Sequence, residues 1–501
     1  MGAQDTHNLL TFIGRREELN QLKSLLAEGK RLVTVVAPGG YGKSRLVGEF
    51  MRMVSGEEGT ECYEVLLAPV GDERRIPWIT AEAMGLRLSD GEPPEEQLVG
   101  FLTDRKAIIH FDNFEHLLGG APLLSDLLRA VPGVQFIVTS REPLRLPEEH
   151  AVNLHALPVG GRNGTSLKPQ YSAAVKLFAD RASRADAGFV LSPDNAEQVR
   201  ELCQSLAGVP LAIELAAAWV GEIDLGRLRE ELWQQLDLRA RTDDVPERHR
   251  SVRASCDWSY ELLNEYQQLA VRCLSMFRGG FDREGAAALL PSIDLDETLE
   301  VLRGKSWLDV RNTAAGPRHF MHNEAIREYA YQKLLNSDDY EITAKAHCRY
   351  CARLLKGDGG YLESLRRLDA SREDLYFAVD TALHQDEAAL LAPLAERLHE
   401  YLLLVGAAKP CADYYAAIRE HAVELDAPEI ELVADHALGR ALMLLGEYTE
   451  SKRHARQAKE AAQDAGNQHY AALGDMTLGA VSMIEGDHQA ARYHLVLALD
   501  Q

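Results

Sequence analysis

Six consecutive residues carry the clearest chemistry in the chain: Gly39-Gly40-Tyr41-Gly42-Lys43-Ser44. Glycines at such spacing let backbone N–H groups converge on an anion with no Cβ in the way. Lys43 supplies a point charge for β- and γ-phosphates, and the Ser44 hydroxyl suits a Mg²⁺ ligand. The run Leu32 to Val36 before them is apolar and β-branched, and a helical pattern follows through Arg45 and Leu46. Strand, glycine loop and helix in that order read as a phosphate loop whose helix turns its N-terminus to the anion. A glycine-rich hairpin beside an exposed lysine would share these letters, but would not need the strand and helix around them. Ala37 stands where such loops usually begin with glycine; at a strand end, positive φ is not required.

A second chemical stretch is Ala107-Ile-Ile-His-Phe-Asp112-Asn113. An apolar strand ending in an acid, downstream of a phosphate loop, places Asp112 to hold Mg²⁺ directly or through water. Asn113 cannot act as a general base. Glu115 is the nearest acid that can, and it reads equally well as a solvated carboxylate at a helix start. A third strand, Val134 to Ser140, delivers Arg141 to the carboxyl edge of a sheet. There it can sense a γ-phosphate or simply pair with Glu142 or another neighbour.

These residues need a scaffold, and the chain is long enough for several domains at 501 residues, 46% apolar and 26% charged. A net charge of −23 argues against bulk attraction to nucleic acid or anionic membrane. Seven scattered cysteines argue against a disulfide framework and for a reducing, cytoplasmic setting. Cys348 and Cys351 form one C-x-x-C beside His347, without the second pair a zinc site needs. Met1-Gly-Ala-Gln-Asp5 has no signal-peptide pattern, and the apolar stretch 208–220, interrupted by Glu214, is too short to span a bilayer.

The expected fold is multidomain, α/β plus α. A helix begins near Glu17, and strands alternate with helices through residue 165, giving a parallel sheet covered on both faces. Helices follow at Ala173 to Ala182, Asn195 to Leu206 and Pro210 to Trp219. Arg248-His249-Arg250 is a short basic cluster. Strands at Trp307 to Arg311 and Arg318 to Met321, joined by Asn312 to Pro317 and followed by a helix over Glu324 to Leu335, suggest a winged helix. Beyond residue 345 the chain is helical and repeats: Leu398, Leu438 and Leu478 align, as do Gly406, Gly446 and Gly486. Helix pairs at a 40-residue period form a solenoid. The expected division is a phosphate-loop nucleotide-binding domain over 1–165, a helical lid over 166–250, a winged helix over 251–340, a helical linker over 341–394 and repeats over 395–501. The natural chain is expected to continue past Gln501.

Taken in order, the motifs resemble the STAND class of signal-transducing P-loop ATPases, which includes the NB-ARC proteins. The nearer likeness is to bacterial ATPases attached to LuxR-type and antibiotic-regulatory transcription factors. The resemblance rests on Phe12-Ile-Gly-Arg-Arg-Glu17, Ala37 to Ser44, Phe111 to Leu117, Thr139-Ser-Arg-Glu142, Gly208-Val-Pro-Leu-Ala212, Asp257-Trp-Ser-Tyr260, Lys305-Ser306, and Met321-His-Asn323 before Ile326 to Ala330. The repeats are similar, less specifically, to tetratricopeptide units. The resemblance implies that Ile13, Gly14, Arg15 and Pro210 surround adenine, that Gly39 to Arg45 hold the phosphates, and that His322 contacts the β-phosphate of ADP; without it His322 would read as a surface histidine. It implies ATP or ADP with Mg²⁺ on Ser44 and Asp112, slow hydrolysis, a closed ADP form, self-association with ATP, an unknown ligand or protein at the repeats, and an effector outside this chain. Asn113 stands where many relatives have a second acid, and Asn323 where the eukaryotic motif has Asp, which could orient the histidine. Two other readings compete: a nucleotide-bound scaffold without turnover, and a winged-helix DNA-binding regulator, against which the acidic charge and Glu324 and Glu328 weigh.

Overall fold

The computed structural model describes residues 11–55, 59–88, 92–160, 172–232, 247–357, 361–385 and 387–500. The expected boundary at 165/166, the leading Met1 to Asp5, Asp90, Gly91 and Gln501 lie outside them. The chain forms two compact units, Met1–Met84 with Leu98–Tyr340, and Gly85–Gln97 with Glu341–Gln501.

The first unit opens with α1 (Arg16–Ala27), β1 (Leu32–Val36), α2 (Lys43–Val54), β2 (Glu61–Leu66), α3 (Ile76–Ala83), the part of α4 (Pro94–Leu102) from Leu98 on, β3 (Ala107–Asp112), α5 (Ala121–Ala130), β4 (Val134–Ser140) and β5 (Glu149–Asn153). The five strands are parallel, in the order β2-β3-β4-β1-β5. β1 lies between two strands and under helices, so Leu-Val-Thr-Val-Val is buried throughout. Register pairs Val36 with Ser140 and Phe111 with Val138, which brings the carboxyl ends of β1, β4 and β3 level along one edge. The phosphate loop, Arg141 and Asp112 leave from that edge. The expected strand–helix alternation stops early: β5 follows β4 through 141–148 without a helix. β5 escaped sequence reading because it is an edge strand with only Val152 buried.

Next come α6 (Ala173–Ala185), α7 (Ala196–Ser205), α8 (Pro210–Ala217) and α9, described over 225–232. Gly208 has φ +67, and a Cβ there would sit 2.3 Å from the Leu157 carbonyl oxygen. Glycine is needed both for the backbone and for this approach. Pro210 occupies the first turn of α8, and the next residue, Leu211, donates its N–H to the Gly40 carbonyl at 3.1 Å. The helical segment is thereby joined to the phosphate loop.

The unit closes with α10 (Glu247–Glu261), α11 (Glu265–Leu274), α12 (Arg283–Leu289), α13 (Leu295–Gly304), β6 (Leu308–Thr313), β7 (Gly316–Met321) and α14 (Glu324–Leu335). α10 runs across the 250/251 boundary and includes Arg248 to Arg250. The hairpin turn is tighter than expected: Thr313 pairs with Gly316, leaving Ala314 and Ala315 between the strands. Phe281 adds a bridge to His319. The Asp257-Trp-Ser-Tyr260 motif is a strut. Ser259 Oγ accepts from the indoles of Trp219 and Trp307 at 3.1 and 3.2 Å, and the Asp257 carboxylate takes the Tyr329 hydroxyl at 2.7 Å and Lys333 at 3.1 Å.

The second unit is helical: α15 (Tyr340–Lys356), α16 (Tyr361–Ala370), α17 (Arg372–His384), α18 (Ala388–Leu404), α19 (Ala408–Glu424), α20 (Pro428–Leu444), α21 (Tyr448–Asp464), α22 (Gln468–Ile484) and α23 (His488–Asp500). The 394/395 boundary falls inside α18. From α18 the helices start every 20 residues, and consecutive ones pack together. Each turn carries a positive-φ residue, at Gly406, Asp426, Gly446, Gly466 and Gly486. The 40-residue spacing of the sequence is therefore two structural steps, hidden at 426 because aspartate there adopts the left-handed conformation. In α15 the Cys348 and Cys351 thiols are buried and donate to the Ala378 and Asp374 carbonyls, a packing role. Among the described residues no helix is long and apolar enough to cross a membrane.

Buried carboxylates tie the array together. Asp435 on α20 accepts from Arg419 at 2.7 Å and His454 at 2.6 Å. One repeat later Asp475 accepts from Lys459 at 2.9 Å and His494 at 2.7 Å. Replacing Asp435 with Ala leaves His454 without its carboxylate and Arg419 with Glu431 alone. The expected loss is at the lower end of ~3–5 kcal/mol, because Arg419 keeps some access to water. Glu450→Ala, which removes an exposed partner of Arg453, is expected to cost under ~1 kcal/mol. Urea unfolding of both variants tests the contrast.

Candidate functional site

The glycine loop is built as a cradle. Gly40 and Gly42 have φ of +81 and +85. A Cβ at Gly40 would lie 2.9 Å from Leu211 of α8, and one at Gly39 would lie 3.2 Å from Ala325 of α14. Ala37 has no positive φ, which explains why alanine serves there; its carbonyl accepts from Lys43 Nζ at 2.8 Å. Lys43 also reaches the Pro38 carbonyl at 3.3 Å, while Ser44 is exposed at the start of α2. Arg15, at φ +65, donates from its guanidinium to the Tyr41 carbonyl at 3.2 Å. Gly14 beside it abuts Ala173 of α6, and Ile13 is half-buried on the same turn. The entry loop, phosphate loop and α8 thus meet.

Beside the cradle, Asp112 accepts from Thr139 Oγ1 at 2.5 Å, and Thr139 in turn accepts the Asn113 backbone N–H at 2.9 Å. Asn113 has φ +66, a conformation asparagine tolerates better than most residues. Glu115 is not a solvated carboxylate. Its side chain is 11% exposed, Oε1 accepts from Arg141 Nε at 2.8 Å, and Oε2 is buried with no hydrogen-bond partner among the described residues. Arg141 pairs with Glu115 and with Glu328 of α14 at 2.6 Å, not with Glu142. Burial lowers the Lys43 ammonium below its usual range, Glu115 and Asp112 pull it back up, and Arg141 pushes it down. Lysine, two acids and arginine from three strand ends therefore share one electrostatic site.

On the other side stands a residue that sequence reading noticed only as an interruption. Glu214 on α8 is 8% exposed. Its Oε1 accepts from Arg181 of α6 at 2.9 and 3.1 Å and from Arg45 of α2 at 3.3 Å, and its Oε2 faces His322 Nε2 at 3.3 Å. His322 Nδ1 faces Asp309 of β6 at 3.0 Å. His322 is therefore not a surface histidine, and both ring nitrogens engage carboxylates. Burial works against its charge, but Asp309 and Glu214 hold it up to about 10. Burial likewise opposes the Glu214 charge, but His322, Arg181 and Arg45 hold it down to about 2. Asn323 caps α14, accepting from the Ile326 N–H at 3.0 Å, so the orienting carboxylate is Asp309 rather than residue 323. The signal for Glu214 was present in the sequence as a lone acid in an apolar helix, four residues after Pro210.

A parallel sheet of this order, with a glycine–lysine–serine loop after one strand and an acid ending another, defines a P-loop nucleoside-triphosphatase fold. No family model matches the chain. Over 338 residues it is 34% identical to the Mycobacterium tuberculosis (strain H37Rv) protein named "Putative HTH-type transcriptional regulator Rv0890c", and equally to its M. bovis counterpart Mb0914c. That match covers 66% of this chain and 37% of either relative, so the chain spans little more than a third of their length. Over 340 residues it is 31% identical to the uncharacterized M. tuberculosis protein Rv0894, covering 66% of this chain and 83% of that one. Among solved structures, a STAND protein with a tetratricopeptide repeat sensor, PH0952 from Pyrococcus horikoshii, superposes with a TM-score of 0.48 at 14% identity, over 98% of this chain and 76% of that one. Cdc6p from Pyrobaculum aerophilum gives 0.30 at 14% identity, over 66% and 97%. The chain belongs to one family with mycobacterial Rv0894.

The charge set around His322 fixes a pH response. The folded-state value of His322 is raised above its ordinary 6.5, so its contribution is full below about 6.5 and is lost as pH rises through about 10. Glu214 is depressed from 4.5, so its contribution is full above that value and is lost as pH falls towards about 2. Thermal unfolding of wild type and His322→Gln should differ most near pH 6.5 and converge towards pH 10. A gap independent of pH would mean that the folded protein does not hold the imidazolium.

Proposed function

We propose that this chain is a slow ATPase acting as a nucleotide-operated signalling switch. It is held closed in the ADP-bound form, self-associates with ATP and takes its signal at the C-terminal helical array. The reading is carried by one observation: a glycine cradle roofed by Leu211 and Ala325, with Lys43 in the common field of Asp112, Glu115 and Arg141. On this reading the nucleotide domain spans 1–165, the helical lid 166–250, the winged helix 251–340, a helical linker 341–394 and tetratricopeptide-like repeats 395–501.

The donor set suits adenine nucleotide with Mg²⁺. Gly39 to Arg45 offer backbone N–H groups and cations to the phosphates, and Ile13, Gly14, Arg15 and Pro210 flank the base. Ser44 and Asp112 would hold the metal through oxygen, and the metal would supply positive charge against the phosphates. Lys43 gives up the Ala37 and Pro38 carbonyls to meet phosphate. Thr139 keeps one Asp112 oxygen turned inward. Glu115 offers Oε2 to a water proton while Arg141 holds Oε1, which makes it the candidate base in the absence of an acid at 113. A base tied to an arginine turns over slowly, well below the ~10 s⁻¹ median of enzymes. Relatives bearing the name of transcriptional regulators favour gene control as the output, through an effector outside this chain; a defence output would use the same switch.

Lys43→Ala should weaken ATP and ADP binding by about ten- to a hundred-fold or more, the loss of charge-assisted hydrogen bonds worth ~1.5–3 kcal/mol. Calorimetry on the full chain checks it, and unchanged affinity would reject the phosphate-loop reading. Glu115→Gln should abolish turnover with binding intact; hydrolysis at the wild-type rate would remove Glu115 as base.

A further inference from the structure

We propose that Glu214 is a built-in latch: its carboxylate holds the β7–α14 segment closed over the phosphate loop before any nucleotide is bound.

The segment from His322 to Glu328 meets the nucleotide-site side at three points. His322 reaches Glu214, Ala325 lies against Gly39, and Glu328 takes Arg141. These points are not equal. The Arg141–Glu328 pair is 38% and 48% exposed, and exposed ion pairs contribute little. The Ala325 contact is small. His322 and Glu214 are 11% and 10% exposed, so their attraction is poorly screened. Closure therefore depends on Glu214.

The charges around it balance among themselves. Glu214 faces Arg45, Arg181 and His322; Asp309 balances the far side of His322, and Asp180 pairs with Arg181. Arg45 also donates to the Thr11 carbonyl at 2.9 Å. The set draws on α2, α6, α8 and the hairpin, so a single carboxylate fixes four elements against one another. Glu214 is a positioning residue: it fixes Arg45 and His322 beside the loop.

One consequence deepens the switch reading and rests on it. His322 Nε2 can serve one acceptor at a time. A phosphate that recruits this nitrogen must take it from Glu214, so nucleotide exchanges one anion for another instead of creating the closed form.

The test is hydrogen exchange on the nucleotide-stripped full chain, wild type against Glu214→Gln and His322→Gln. In wild type, 319–328 and 39–46 should be protected with no nucleotide present. Either variant should exchange at least about tenfold faster in both segments, while α18 to α22 stay unchanged as an internal control of folding. His322→Gln leaves the Arg45–Glu214–Arg181 set intact, so it reads the latch even if Glu214→Gln fails to fold. Wild-type protection that appears only after ADP is added, or variants as protected as wild type, would overturn the latch. The switch reading fails separately, if calorimetry finds that the protected wild type binds neither ADP nor ATP.

Discussion

A carboxylate cannot be buried in an apolar helix unless its charge is answered. Glu214 sits in Pro-Leu-Ala-Ile-Glu-Leu-Ala-Ala, where every residue from Leu211 to Ala217 is buried. Desolvating an isolated carboxylate costs several kcal/mol or more, so the helix is tolerable only with cations beside it. Those cations come from the helix that starts at the phosphate loop, from α6, and from the loop leaving β7. The requirement converts one local anomaly into a long-range constraint. It draws together segments up to 169 residues apart in sequence, and they meet next to the glycine loop.

Sheet order supplies the other half of the site. Because β4 lies between β1 and β3, its end stands between the glycine loop and Asp112. Thr139 can then orient Asp112, and Arg141 can hold Glu115, with no long side chain having to cross the sheet. Had β3 paired directly with β1, Arg141 would leave from the far side of Asp112. The strand's insertion is thus what places an arginine beside Glu115 and Asp112 at the edge that carries the glycine loop.

Much of this was legible because it is local. Strand β1 follows from Leu-Val-Thr-Val-Val, the cradle from its glycines, and the α8 start from Gly208-Val-Pro210. The short edge strand β5 was missed because its pattern is mostly polar, and strand order is invisible to periodicity. Charge partnerships were least legible. Arg141 has Glu142 next to it in sequence yet pairs with Glu115 and Glu328, and Asp309 and His322 come together only when β6 pairs with β7. Nothing in the spacing of single acids and bases says which will be neighbours. Asn113 was read for the proton it cannot take, whereas its left-handed backbone is what the turn after β3 demands.

The two units answer buried carboxylates with the same chemistry and different connectivity. In the array, Asp435 and Asp475 each take one base from the preceding helix and one histidine from the following helix, 16 and 19 residues away. Partners that near in the chain stay near while the helices exist, so these contacts are static struts. The partner of Glu214 on the hairpin has no such tether: β6, β7 and α14 keep their own hydrogen bonds, and Asp257 keeps α14 against α10 through Tyr329 and Lys333. Separating His322 from Glu214 therefore works against the buried Trp219–Ser259–Trp307 strut but breaks no hydrogen bond within β6, β7 or α14. It exposes two charges that water can solvate. An ion pair between intact bodies, costly to leave half-buried and cheap to hydrate fully, favours closed and open forms over intermediate ones, which is the physical requirement for a switch.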